Sequence, residues 1–199
     1  MDLPVNADVY CDDQHCGVST YIIINPATKK VTHLVVKEKA IPHIERLVPI
    51  ELVSETSAQK IRLRCTPNQL EGLDSFIETE FTRTVIPEYI GGQFMNWPYV
   101  IPETEMIPVA HERIPPGELA VRRGARVEAT DGHAGRVDEF LVNPEDGYIT
   151  HLVLREGHLW GQKEVTVPVS QIDHIEDNAV HLKLDKHSVE VLPSIPIRR

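Results

Sequence analysis

Several features that usually announce a biochemical role are missing from this chain. No apolar run approaches the roughly 18–20 residues that a membrane-spanning helix needs, so no membrane span is expected. Residues 1–5 have neither a basic nor an apolar stretch, which argues against a secretory leader and makes a cytoplasmic location the expectation. Positive charge is scarce: 20 Lys and Arg face 30 Asp and Glu, for a net charge of −10. Nucleic-acid binding draws on a basic face that displaces counterions from phosphate. The small clusters Arg122, Arg123, Arg126 and Arg198, Arg199 sit in an acidic whole, so direct nucleic-acid binding is not expected. A Gly-rich phosphate loop, a G-x-S-x-G and an H-E-x-x-H are all absent. The chain therefore reads as a non-enzyme without a cofactor.

What is present is a repeat. Residues 7–38 and 125–156 align without a gap at an offset of 118, and 12 of the 32 positions are identical. Among them are Asp13/Asp131, His15/His133, Gly17/Gly135, Asn25/Asn143, Pro26/Pro144, His33/His151 and Leu34/Leu152. One extra residue in the second copy then moves the offset to 119, and the match resumes at Pro49/Pro168, Val53/Ile172, Ile61/Val180 and Leu63/Leu182. A unit of roughly 70 residues can close a small core alone, so the repeat implies duplicated domains rather than a solenoid. It is also an internal control. A residue kept in both copies serves the fold, and one found in a single copy need not.

Each copy reads as short strands divided by turn signals, with little helix. In the first, strands are expected over residues 5–10, 17–24, 30–37, from 47 and over 60–65, with turns at 12–15 and 25–28. Alternation is clean in the last strand, where Ile61, Leu63 and Cys65 oppose Lys60, Arg62 and Arg64. A short helix follows in each copy, capped by Thr66 with Pro67 and Gln69 in a capping-box pattern, and by Asp185. Gly kept at positions 17 and 135 implies positive φ or close backbone approach, as at a bulge. Closure into a small antiparallel barrel would remove the exposed sheet edges. The expected domains are residues 1–73 and 117–199, the latter with a short basic tail. The connecting segment, 74–116, holds 6 of the 15 prolines, 6 of the 11 aromatics and 7 acidic against 2 basic residues. A flexible linker would be Gly/Ser-rich and aromatic-poor, so this one is expected to be extended and to lie against something.

These motifs carry a resemblance. Thr130-Asp131-Gly132-His133-Ala134-Gly135-Arg136-Val137, Val142-Asn143-Pro144, Ile149-Thr150-His151-Leu152-Val153-Leu154 and Thr166-Val167-Pro168-Val169 resemble the PRC-barrel, a small β-barrel domain of the photosynthetic reaction-centre H subunit and of a bacterial ribosome-maturation factor. The first copy keeps Asp13, His15, Gly17, Asn25-Pro26, Leu34-Val35-Val36 and Val48-Pro49, with Gln14 in place of the turn Gly. The resemblance implies a mainly β protein of two tandem PRC-like barrels, with no shared catalytic motif and a role in protein docking.

Each chemical candidate has a structural counterpart reading. Cys11, Cys16 and Cys65 could be metal ligands, but they align with Ala129, Ala134 and Leu184, so small or apolar groups suffice there. Of the ten histidines, His15/His133 and His33/His151 recur. His33 and His151 could converge on a metal, or could serve the barrel by hydrogen bonding. Asp138-Glu139 and Asp12-Asp13 are adjacent acids that face opposite ways on a strand, and solvated charge is expected. Leu159 and Trp160 in the loop 157–162, whose first-copy counterpart also carries apolar residues, are the expected partner contacts, with Tyr89, Trp97 and Tyr99 of the connecting segment. The leading expectation is a non-enzymatic adaptor or assembly protein that docks another protein and self-associates. Alternatives are a ribosome-maturation accessory that binds a ribosomal protein, and a metal-binding protein or enzyme built on the repeated histidines.

Overall fold

A computed structural model describes residues 2–4, 6–57, 59–89, 100–156, 163–176 and 178–192, of which 83–89, 100–105, 156 and 163 through their backbone only. In chain order the elements are β1 (Asp2–Pro4), β2 (Asp8–Cys11), β3 (Gln14–Asn25), β4 (Lys30–Glu38), β5 (Glu45–Pro49), β6 (Val53–Ser57), β7 (Lys60–Leu63) and α1 (Pro67–Glu71). Then come β8 (Ile77–Tyr89), β9 (Val100–Glu112), β10 (Leu119–Arg122), β11 (Arg126–Ala129), β12 (Gly132–Val142), β13 (Ile149–Glu156), β14 (Lys163–Pro168), β15 (Ile172–Glu176), β16 (Ala179–Leu182) and α2 (Lys186–Val191). One-turn 3₁₀ helices, Ile50–Leu52 and Val169–Gln171, separate β5 from β6 and β14 from β15. The chain forms two compact units, one of Met1–Phe76 with Ile114–Arg199, the other of Ile77–Arg113.

The larger unit holds two sheets of the same design. Their strand orders are β5-β4-β3-β2-β7-β6 and β14-β13-β12-β11-β16-β15. Register shifts recur at aligned places: Val9/Tyr10 and Val127/Glu128, Ser19/Tyr21 and Val137/Glu139, Val53/Glu55 and Ile172/His174. The expectation of a closed antiparallel barrel is corrected on two counts. β2 pairs with β7 in parallel, as β11 does with β16, because the 3₁₀ turn passes the chain from β5 to β6 without reversing it. The hydrogen-bonded path is also open, with β5 and β6 at its two ends.

The sheets exchange strands. β1, at the start of the first half, pairs with β12 of the second, through Leu3↔Phe140. β10, which leads into the second half, pairs with β3 of the first, through Val121↔Ile22. Between β1 and β2 lies Asn6, and between β10 and β11 lies Gly124, both at positive φ (66° and 82°). That left-handed step re-aims the chain so that the strand before it joins the other sheet. The expected single strand over 5–10 is thus broken at Asn6. Lys30 and Tyr148, aligned at the offset of 118, form an antiparallel bridge between the halves. Val31 N–H donates to the Gly147 carbonyl and Ile149 N–H to that of Lys29, each at 3.0 Å. One continuous core results, containing Leu3, Val9, Ile22, Leu34 and Ile61 together with Val121, Val127, Phe140, Leu152 and Val180. A fully buried side chain of this size stabilises by about 1.5–3 kcal/mol.

Both caps form. Thr66 Oγ1 accepts from Gln69 N–H at 3.3 Å while Gln69 Oε1 accepts from Thr66 N–H at 2.9 Å, and Asp185 accepts from Ser188 N–H at 2.8 Å. The smaller unit is a two-stranded antiparallel ribbon of β8 and β9, in register from Ile77↔Glu112 to Tyr89↔Val100. Pro87 and Pro102 face each other across it. Proline survives there because each strand of a two-stranded ribbon is an edge strand, whose outward N–H has no ladder partner to lose.

Candidate functional site

The repeated positions come first, because they set the scaffold. A Cβ on Gly17 would lie 2.1 Å from the Lys37 carbonyl oxygen, and one on Gly135 would lie 2.7 Å from that of Arg155. Both glycines sit opposite the bulge in their own β-hairpin. Asn25 Oδ1 accepts from the N–H groups of Ala27 and Thr28, and Asn143 Oδ1 from that of Glu145, each at 3.1 Å. Pro49 and Pro168 end β5 and β14 and precede the 3₁₀ turns.

A cleft of about 790 Å³ opens where the halves meet, lined by Lys30, His33, Glu51, Arg64, Glu118 and Asp146 among others. Thr32 Oγ1 donates to Glu118 Oε2 at 2.6 Å, and His33 Nδ1 lies 3.7 Å from the same oxygen. The pair fixes one carboxylate beside charges of both signs, an arrangement suited to polar recognition. His151, by contrast, is half-buried in β13 opposite Leu141 and Pro168 and does not line the cleft. His15 stacks edge-on against Tyr10 with Nε2 3.2 Å from Asp8 Oδ1, and His133 lies 3.6 Å from Glu128. These are contacts within a hairpin.

The thiols are packed side chains. Cys11 and Cys65 are buried with their sulfurs 3.8 Å apart, and burial pushes both pKa values upward, away from the thiolate that metals and electrophiles require. Cys16, half-buried, lines a groove of about 380 Å³ with His15 and Leu70.

The expectation of solvated charge at Asp138-Glu139 is corrected. Asp138 accepts from Arg123 Nε at 2.7 Å and from Arg155 Nη2 at 2.9 Å. Glu139 is buried, and its Oε1 has no hydrogen-bond partner among the described residues. Burial first, then the charges of Asp2, Asp138 and Glu164, push its pKa up to about 7, against a smaller pull from Arg123. Strand exchange is the cause: β1 lays Pro4 directly against Glu139.

Leu159, Trp160, Trp97 and Tyr99 lie outside the described residues, as does the side chain of Tyr89. The ribbon nonetheless presents apolar groups to solvent, with Phe81 67% and Met106 58% exposed, beside exposed Glu78 and Glu80. Sequence reading passed over one further cluster, His174, Glu176 and His181 on β15 and β16. The two-residue spacing of His174 and Glu176 puts them on one strand face, a signal open to inspection once β15 is recognised as a strand.

Residues 123–188 match the PRC-barrel domain. The PRC-barrel match thus begins just after β10 and ends within α2, and it contains Gly135, Asn143, Pro168 and the His174 cluster. No curated protein shows significant similarity to the chain. Among the described residues, no helix is long and apolar enough to cross a membrane.

Proposed function

We propose that this protein is a non-enzymatic docking or assembly protein, in which two PRC-like copies derived from one duplicated domain carry an apolar, acidic ribbon to a partner protein. The observation behind the reading is the exposure of Phe81 and Met106 on β8 and β9, with Ile77 and Ile107 also exposed nearby. Large exposed apolar groups ringed by polar ones are what binding surfaces offer. Because the segment 74–116 carries 7 acidic against 2 basic residues, the partner's surface is an apolar pocket rimmed by Lys and Arg. Duplication is supported by the shared strand order and the recurring register shifts. Ile41, in the first-half loop that corresponds to residues 157–162, is exposed, and this supports a share in docking for Leu159 and Trp160. Tyr89, Trp97 and Tyr99 of the same segment as the ribbon are further candidate contacts in this reading. A reducing, cytoplasmic setting agrees with three free cysteines.

Quantitative affinity capture with the full chain tests this reading, comparing wild type, Phe81→Ser/Met106→Ser and Trp160→Ala. A partner recovered by wild type, weakened at least about tenfold by the ribbon variant and released by salt is the expected result. Equal recovery by all three proteins would reject the contact assignment. Light scattering that finds only self-association through the ribbon would replace the partner with a second copy of the chain.

A further inference from the structure

We propose that His174, Glu176 and His181 form an open site for one divalent transition-metal ion, independent of the docking surface. One ligand atom from each of the three lies within 4.8 Å of the others. His174 and His181 face each other across β15 and β16, and their rings stack with centroids 4.3 Å apart and planes within 6°. Glu176 bridges them: Oε1 lies 3.4 Å from His174 Nε2 and Oε2 lies 3.7 Å from His181 Nε2.

The cluster gathers two imidazoles and a carboxylate on one strand pair. His174 Nδ1 lies 2.9 Å from Asp173 Oδ2. In the neutral tautomer that donates from Nδ1 to this carboxylate, Nε2 is left free to ligate a metal. Protonating both stacked rings would set two like charges face to face at 4.3 Å. A single metal ion satisfies both imidazoles and the carboxylate while leaving the rings neutral. The contact from Asp173 is the carboxylate–histidine support that orients metal-bound imidazoles.

The fold does not need these histidines. In the first half the aligned cross-strand pair is Glu55↔Arg62, an ion pair with Arg62 Nε 3.9 Å from Glu55 Oε2, and Ser57 stands where the second half has Glu176. Two imidazoles and a carboxylate suit Zn²⁺, Cu²⁺ or Ni²⁺ rather than Mg²⁺ or Ca²⁺. Tetrahedral Zn²⁺ with bonds of about 2.0–2.2 Å spaces its ligands about 3.4 Å apart, which small rotations of these surface side chains reach. β15 ends the sheet path, so the remaining coordination positions stay open to water.

The test is calorimetric titration of the full, untagged chain with ZnCl₂ at pH 7.5. The variants are His174→Glu/His181→Arg, which installs the first half's pair and so preserves folding, and Asp173→Asn. One equivalent taken up by wild type at pH 7.5 and lost in the double variant is the expected result. Asp173→Asn should weaken affinity about 10–100-fold with stoichiometry kept. No uptake by wild type, or full uptake by the double variant, overturns the site. Unchanged affinity in Asp173→Asn overturns the orienting role of Asp173.

Discussion

Glu139 and Tyr21 occupy the same position of the two sheets, and their fates differ because their neighbours do. Tyr21 packs on Phe76 with ring centroids 5.2 Å apart, whereas Glu139 is buried at 5% exposure beneath β1 and among acids. Its raised pKa sets a pH dependence. Between its ordinary 4.5 and its folded value of about 7, the folded chain binds more protons at this site than the unfolded chain. Stability therefore falls as pH rises through that window. Glu139→Gln should stabilise by about 1–3 kcal/mol at pH 8, with the gain vanishing near pH 4, in urea titrations at both pH values. A gain independent of pH would contradict this. Glu139 was illegible in the sequence because its burial depends on a strand more than a hundred residues away. The cysteines were legible, since the aligned Ala129, Ala134 and Leu184 already declared those positions apolar.

Elements announced by local chemistry could be read, and those made by distant pairing could not. The capping residues of α1, the Asn-Pro turns and the alternation of β7 are each short-range signals, and each element forms where they lie. β1 and β10 carry three and four residues, too few for a periodic pattern, and each takes its partner from the other half. The parallel pairing of β2 with β7 follows from one missing reversal at the 3₁₀ turn, which Pro49 punctuates without specifying a direction. The β8–β9 ribbon was concealed by its prolines, which argue against strands except at edges. Gly17 tests the bulge directly. Gly17→Val should destabilise by roughly 1–3 kcal/mol, because its side chain has to displace the Lys37 carbonyl that lies 2.1 Å from the Cβ site. Thermal unfolding that is unchanged would reject that account.

Across the whole molecule, the repeat does more than place two similar sheets on one chain. Each half lends a strand to the other, the bridge at Lys30 and Tyr148 joins them, and buried residues of both meet in the main core. From the sequence alone the halves read as successive domains, since a repeat reports similarity but not exchange. Mutual dependence ties the two halves into a single folding unit. Leu3 carries this claim, because it belongs to the first half by sequence and is buried opposite Phe140 of the second. Differential scanning calorimetry of the full chain beside Leu3→Ala addresses it. A single cooperative transition for the two halves, shifted as a whole by a loss of about 2–5 kcal/mol in Leu3→Ala, is expected. Two resolved transitions, with Leu3→Ala moving only one, would show that the halves stand independently and that the exchanged strands do not bind them.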